Sequence, residues 1–114
     1  MLEIATTPAG SCLVISLRGE ITSASAPELE QTLNASLSGV VPPRCVLDLG
    51  GLVFTSSAGL RVFLGLAKRI KNAGGRLAFC TVQPAVREVF EVSGFTRILS
   101  LVDGVAEARG LVET

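Results

Sequence analysis

The segment Thr55-Ser56-Ser57-Ala58-Gly59-Leu60-Arg61 places three hydroxyls where an apolar strand pattern, Cys45-Val46-Leu47-Asp48-Leu49, passes through a short loop into a helix start. Hydroxyls at that point can do two kinds of work. Thr55 or Ser56 can cap the helix by accepting one of its unpaired backbone N–H groups. Ser56 or Ser57 can instead accept a phosphoryl group, because the free N–H groups and the positive dipole end of a helix favour an added anion. A phosphate there would switch a surface, whereas a cap would make the hydroxyls structural, and spacing alone leaves both open.

The chain contains no His. Ser-His-Asp and Cys-His hydrolases need an imidazole base, so neither is available. Thr55 stands where a nucleophile elbow requires its first Gly, and the first lysine is Lys68, which leaves Ser-Lys catalysis by Ser57 only a formal alternative. Zinc sites lose their commonest nitrogen ligand, and Asp48 is the only acid between Glu30 and Glu88, so no carboxylate cluster forms locally. The glycines at 50, 51 and 59 fit neither a Walker loop nor a dinucleotide fingerprint. With no Trp or Tyr and five Phe, a stacking platform for single-stranded nucleic acid is not expected. What remains is a binding module without cofactor or metal.

At 114 residues, with 48% hydrophobic and 18% charged residues, the chain is expected to fold as one domain over residues 1–114 rather than remain disordered. Ten basic side chains balance ten acidic ones, so no global field attracts nucleic acid or acidic lipid. Locally, Arg61, Lys68, Arg69, Lys71 and Arg76 form an acid-free stretch, while Glu20, Glu28 and Glu30 dominate earlier. Such a stretch is either a solvated helix face or an asymmetry that a partner reads. No apolar run approaches the roughly 18 residues of a membrane span, and Met1 to Thr6 lacks a basic region followed by an apolar one, so membrane insertion is not expected and the cytoplasm is. Cys12, Cys45 and Cys80 are widely spaced in apolar segments and read as buried free thiols.

Strands are expected over Leu2–Thr7 and Cys12–Arg18, joined by a hairpin turn at Pro8-Ala9-Gly10-Ser11. Ser23 or Ser25 can cap a helix carrying Pro27 in its first turn and Leu29, Leu33 and Leu37 at four-residue spacing, stopped by Gly39. Strand Arg44–Leu49, helix Ser57–Asn72, strand Arg76–Val82 and helix Pro84–Val92 follow, then a short strand Thr96–Leu99 and a helix from about Asp103 to Arg109. The alternation implies parallel strands with helical crossovers and leaves strand order open. On the helix after Ser57, apolar residues span roughly 200°, with Phe63, Leu66 and Ile70 central and Val62 and Leu64 at fringes that are either an edge of ordinary core or part of a contact surface.

Gly19-Glu20-Ile21 after the second strand, Val46-Leu47-Asp48-Leu49 leading to Ser57-Ala58-Gly59-Leu60, and Gly74-Gly75-Arg76-Leu77 before the next strand together resemble the STAS domain, more narrowly a bacterial anti-sigma-factor antagonist. The resemblance covers nearly the whole chain, and Ser-x-Gly-Leu in its strand-loop-helix setting is its most specific part. It implies a compact α/β domain with a mixed, mostly parallel sheet, an N-terminal hairpin and about four helices. It also implies that Ser57 is phosphorylated by a serine-kinase anti-sigma factor, that the unmodified chain binds this partner, and that a metal-dependent serine phosphatase restores it. The antagonist itself would catalyse nothing. The implied contact surface joins Glu20, Thr22 and Ser23 to Ser57, Gly59, Leu60 and Arg61. Two positions depart from the family pattern: Ser56 stands where an Asp commonly precedes the acceptor, and Thr22 where an Asp commonly follows Gly-Glu-hydrophobic. The rival reading is a STAS scaffold or regulatory subunit of a membrane lipid transporter without a phosphoryl switch.

Overall fold

A computed structural model describes residues 1–113. Strands β1 (Leu2–Ala9) and β2 (Cys12–Ile21) form an antiparallel hairpin, and β3 (Arg44–Thr55), β4 (Arg76–Cys80) and β5 (Leu101–Val102) continue in parallel, giving the order β1-β2-β3-β4-β5. Helices α1 (Ala26–Leu37), α2 (Ser57–Asn72) and α3 (Pro84–Val92) cross between successive parallel strands, and α4 (Val105–Val112) follows β5.

The alternation of strand residues divides the interior between the two faces of the sheet. Ile15, Leu17, Cys45, Leu47, Leu49 and Phe79 point toward α1, α2 and α3, meeting Leu29, Leu33, Phe63, Leu66, Val86 and Phe90. Phe63, Phe79 and Phe90 meet edge to face with centroids 5.3–6.0 Å apart, the geometry that aromatic quadrupoles favour. On the opposite face, Cys12, Val46, Ala78 and Cys80 pack against Ala108 and Val112 of α4. All three cysteines are free and buried.

Several boundaries differ from expectation. The hairpin turns at Gly10-Ser11, with Gly10 at φ +61°, so β1 runs on through Pro8 to Ala9. The expected strand Thr96–Leu99 is instead a single 3-10 turn, Phe95–Arg97, and β5 lies just beyond it. Gly94 at φ +77° ends α3 and turns the chain, and Leu99 is bonded back to Phe95 and buried as a plug while Thr96 and Ile98 face water. β4 ends at Cys80 rather than Val82, because Thr81 adopts φ +57° and leaves the ladder. α4 begins at Val105, after its Gly104 cap position, and runs beyond Arg109 to Val112.

The largest change is in β3, which does not stop at Leu49 but continues through Gly50-Gly51 to Thr55. Two register shifts against β2 accommodate the extension, one between the Ser16–Asp48 and Arg18–Gly51 pairs, the other between Gly19–Leu52 and Glu20–Phe54. A side chain at Gly51 would collide with Arg18, whose stem lies across it. What reads as a glycine loop is therefore a bulged strand that delivers the chain to α2.

Candidate functional site: the rim at the start of α2

The rim is built where β2 and β3 end side by side. Ile21 pairs with Thr55, both facing the core, and the Ser56 N–H donates to the Ile21 carbonyl at 2.8 Å, tying the entry of α2 to the end of β2. Ser56 occupies the cap position: its Oγ accepts from the Gly59 N–H at 3.3 Å and its carbonyl from the Leu60 N–H at 3.2 Å. Thr55 is buried, with its hydroxyl donating to the Ser56 carbonyl at 3.2 Å. Of the two candidate caps, Ser56 therefore does the capping.

Ser57 is the first residue of the 16-residue helix and is exposed, and its hydroxyl makes no hydrogen bond. The two serines are thus different groups. Ser56 is half-buried and occupied, while Ser57 Oγ is free at the positive end of a helix dipole. Exposed Arg61 lies four residues on, on the same face, so an anion on Ser57 would meet favourable partial and full charges.

Across the rim, the segment after β2 is closed by reciprocal bonds. Ser25 Oγ accepts from the Thr22 N–H at 2.8 Å, Thr22 Oγ1 accepts from the Ser25 N–H at 3.2 Å, and the Thr22 carbonyl accepts from the Ala26 N–H at 3.0 Å. Ser25 holds the cap position of α1 but turns its hydroxyl back to Thr22, and Pro27 falls in the first turn, where a missing N–H costs nothing. Ser23 is exposed and caps no helix; it lines a groove of about 250 Å³ between α1 and α2, shared with Pro27, Glu30, Ala58 and Arg61. Glu20 is exposed, its carboxylate 3.8 Å from the Met1 amine, a surface pair of little energetic weight.

Of the expected contact surface, Glu20, Thr22, Ser23, Ser57 and Arg61 lie in water at one end of the sheet. Gly59 and Leu60 do not. Leu60 is 7% exposed and belongs to the core under α2. A Cβ on Gly59 would come 2.3 Å from Thr55 Oγ1 and 2.7 Å from Ile21 Cγ2, so this glycine brings helix against sheet. The reason is the phase of α2: residues 59, 60, 63 and 66 face inward, leaving 57, 61 and 68 outside. Of the two fringe residues, Val62 is buried at 8% and so is an edge of the core, and Leu64 is half-buried.

Sequence reasoning missed Val53 and Phe54, which the bulged end of β3 turns into solvent at 52% and 47% exposure. The signal was the apolar run Leu52-Val53-Phe54 on the far side of Gly50-Gly51, whose residue types suit a strand better than a polar loop. Among the described residues, no three Cys, Asp or Glu side chains come together to hold a metal ion, and no helix is long and apolar enough to cross a membrane.

The rim thus sits on a five-stranded mixed sheet with three crossover helices on one face and a fourth on the other. The STAS domain pattern matches residues 3–108, and the chain belongs to that family. It is 42% identical over 102 residues to the candidate anti-sigma factor antagonist BtrV of Bordetella bronchiseptica, covering 90% of this chain and 87% of that one. The fold superposes on an anti-sigma factor antagonist from Mycobacterium paratuberculosis with a TM-score of 0.90 at 24% identity, over 100% of this chain and 96% of that chain. The Bacillus cell fate determinant SpoIIAA in its phosphorylated form shares the fold at a TM-score of 0.71 and 21% identity, over 92% of this chain and 94% of its own.

Proposed function

We propose that the chain is an anti-sigma-factor antagonist worked by a phosphoryl switch. Unmodified, it binds a serine-kinase anti-sigma factor through the rim around Ser57 and so frees a sigma factor. The kinase transfers the γ-phosphoryl group of ATP to Ser57 Oγ, the hydroxyl proton is lost to base, ADP leaves, and binding ends. A metal-dependent serine phosphatase hydrolyses the ester to inorganic phosphate and restores the binding form. The chain is a substrate and a ligand in this cycle and performs no catalysis.

The observation that carries this reading is the division of labour between the two serines: Ser56 is consumed in capping, and Ser57 is exposed and unbonded. The 42% identity to BtrV supports the class of partner. Phosphate adds about −1.5 to −2 charges at neutral pH, and burying that against a partner without a matching cation is unfavourable. A mismatch of about 2–5 kcal/mol lowers affinity roughly 30-fold to several thousand-fold.

The test is incubation with ATP and each kinase-type anti-sigma factor of the source genome, read by intact mass, then titration calorimetry of both forms. The expected result is one added phosphate, abolished by Ser57→Ala and retained in Ser56→Ala, with the phosphorylated chain binding at least 30-fold more weakly. No phosphate gain favours the scaffold reading, and equal affinities of the two forms overturn the switch.

A further inference from the structure

Seven large apolar side chains are exposed among the described residues, and Val53 and Phe54 are the only two adjacent in sequence. In a regular strand Phe54 would share a face with buried Leu52 and Val53 with buried Thr55, because alternate side chains point the same way. The exception has a structural cause. Gly19 pairs with Leu52 and Glu20 with Phe54, so Val53 is the extra residue of a β-bulge, a feature that re-aims side chains and recurs beside functional sites. Leu52 and Thr55 on either side are fully or nearly fully buried, and the bulge leaves the apolar pair between them in water.

The place of the pair matters as much as its exposure. Phe54 stands beside Glu20 on the neighbouring strand and three residues before Ser57, and the Ser56–Ile21 bond fixes the strand ends that carry all of them. An exposed aromatic on a rigid rim is the kind of side chain that supplies most of the energy in a protein interface when a pocket excludes water around it.

We infer that Val53 and Phe54 form the apolar anchor of the surface that carries Ser57, and that the kinase partner presents an apolar pocket beside its phosphoacceptor cleft to receive Phe54. This rests on the reading of Ser57 given above. It divides the work of the rim: the apolar pair sets how tightly the unmodified chain is held, and Ser57 sets whether it is held. Continuity with the Ser57 rim selects this partner over a second copy of the chain.

The experiment uses the kinase-type anti-sigma factor that phosphorylates Ser57, purified and loaded with ADP for binding and with ATP for turnover. Phe54→Ala is expected to weaken binding about 30-fold and to raise KM for phosphorylation with kcat unchanged. Val53→Ser should weaken binding less, and Val92→Ser, at an exposed apolar residue on α3, should leave it unchanged. Phe54→Leu guards against a folding defect, with intermediate affinity expected and circular dichroism as the control. If wild type binds, Ser57→Asp binds weakly and Phe54→Ala binds as wild type, the anchor is overturned and the switch stands. If no kinase binds or phosphorylates the wild type, both are overturned. If Phe54→Ala instead abolishes a concentration-dependent dimer while kinase affinity holds, the patch is a self-association face and the inference fails.

Discussion

Gly59→Ala tests the placement of α2 on the sheet, and its size can be worked from the atoms it would meet. The new Cβ would lie 2.3 Å from Thr55 Oγ1, 2.7 Å from Ile21 Cγ2 and 3.2 Å from Ile21 Cβ. Neither neighbour can retreat, since Ile21 is 0% and Thr55 3% exposed and the ladder pairs them with each other. The helix must lift instead, against the Ser56–Ile21 hydrogen bond that pins its entry. Overpacking of this kind costs about 1–3 kcal/mol, and the better helix propensity of alanine returns at most about 1 kcal/mol. The net loss, up to about 2 kcal/mol, lowers the melting temperature of a 114-residue chain by up to roughly 8 °C.

Gly65→Ala in the same helix is the matched control. A Cβ there meets nothing within 4 Å, so only the propensity gain of about 1 kcal/mol remains and the melting temperature rises by roughly 4 °C. Thermal melts followed by far-ultraviolet circular dichroism decide the matter. If Gly59→Ala melts as high as Gly65→Ala, the inward phase of α2 is wrong, and Gly59 and Leu60 return as candidates for the partner surface. Partner binding measured on Gly59 variants must be read with this in mind, because weaker capture accompanied by a lowered melting point reports the fold and not a contact.

Two further outcomes separate neighbouring groups. Ser56→Ala removes the cap and should lower stability by about 0.5–2 kcal/mol in urea unfolding, whereas Ser57→Ala, which removes an unbonded exposed hydroxyl, should stay within about 0.5 kcal/mol of wild type; equal effects would refute the division between the serines. Burial pushes the Cys45 thiol from 9.0 up to about 12, so above pH 9 the unfolded chain loses a proton that the folded chain keeps. Stability from this group is fully present below pH 9 and falls between about pH 9 and 12 by up to about 1.4 kcal/mol per pH unit. Urea midpoints at about pH 8 and pH 10.5 should show that slope in wild type and a shallower one in Cys45→Ala; an unchanged slope would remove Cys45 as its source.

Much of this fold was legible because its signals are local and agree with one another. The leucines at 29, 33 and 37 and the broad apolar arc of α2 state helical period, and Pro27, Gly39, Pro84 and Gly94 mark helix starts and stops. The failures fall where a non-local partner overrides a local signal. Gly50-Gly51 reads as a loop by composition, yet Arg18 on the neighbouring strand lies over the bare backbone and keeps it in the ladder. Thr96 and Ile98 have strand propensity, yet burial of Leu99 and the left-handed turn at Gly94 coil the segment. At the rim, residue types left Ser56 and Ser57 open as cap or acceptor, and only the phase of α2 and the bulge at Val53 show that Gly59 and Leu60 face the core while Phe54 does not.

That geometry also bears on how a modification at Ser57 would be felt. Three ties hold the start of α2: the Ser56 N–H to Ile21, the Ser56 cap on Gly59, and the contact of Gly59 with Thr55 and Ile21. None of them uses Ser57 Oγ, so esterifying that oxygen breaks no bond of the fold. The helix end and Arg61 favour the new charge, so the domain has no reason to rearrange around it. The free energy of the modification is then spent where a second surface covers the rim. On the switch proposed above, the chain would lose its partner without losing its own structure, and removal of the phosphate would return a surface that needs no refolding before it binds again.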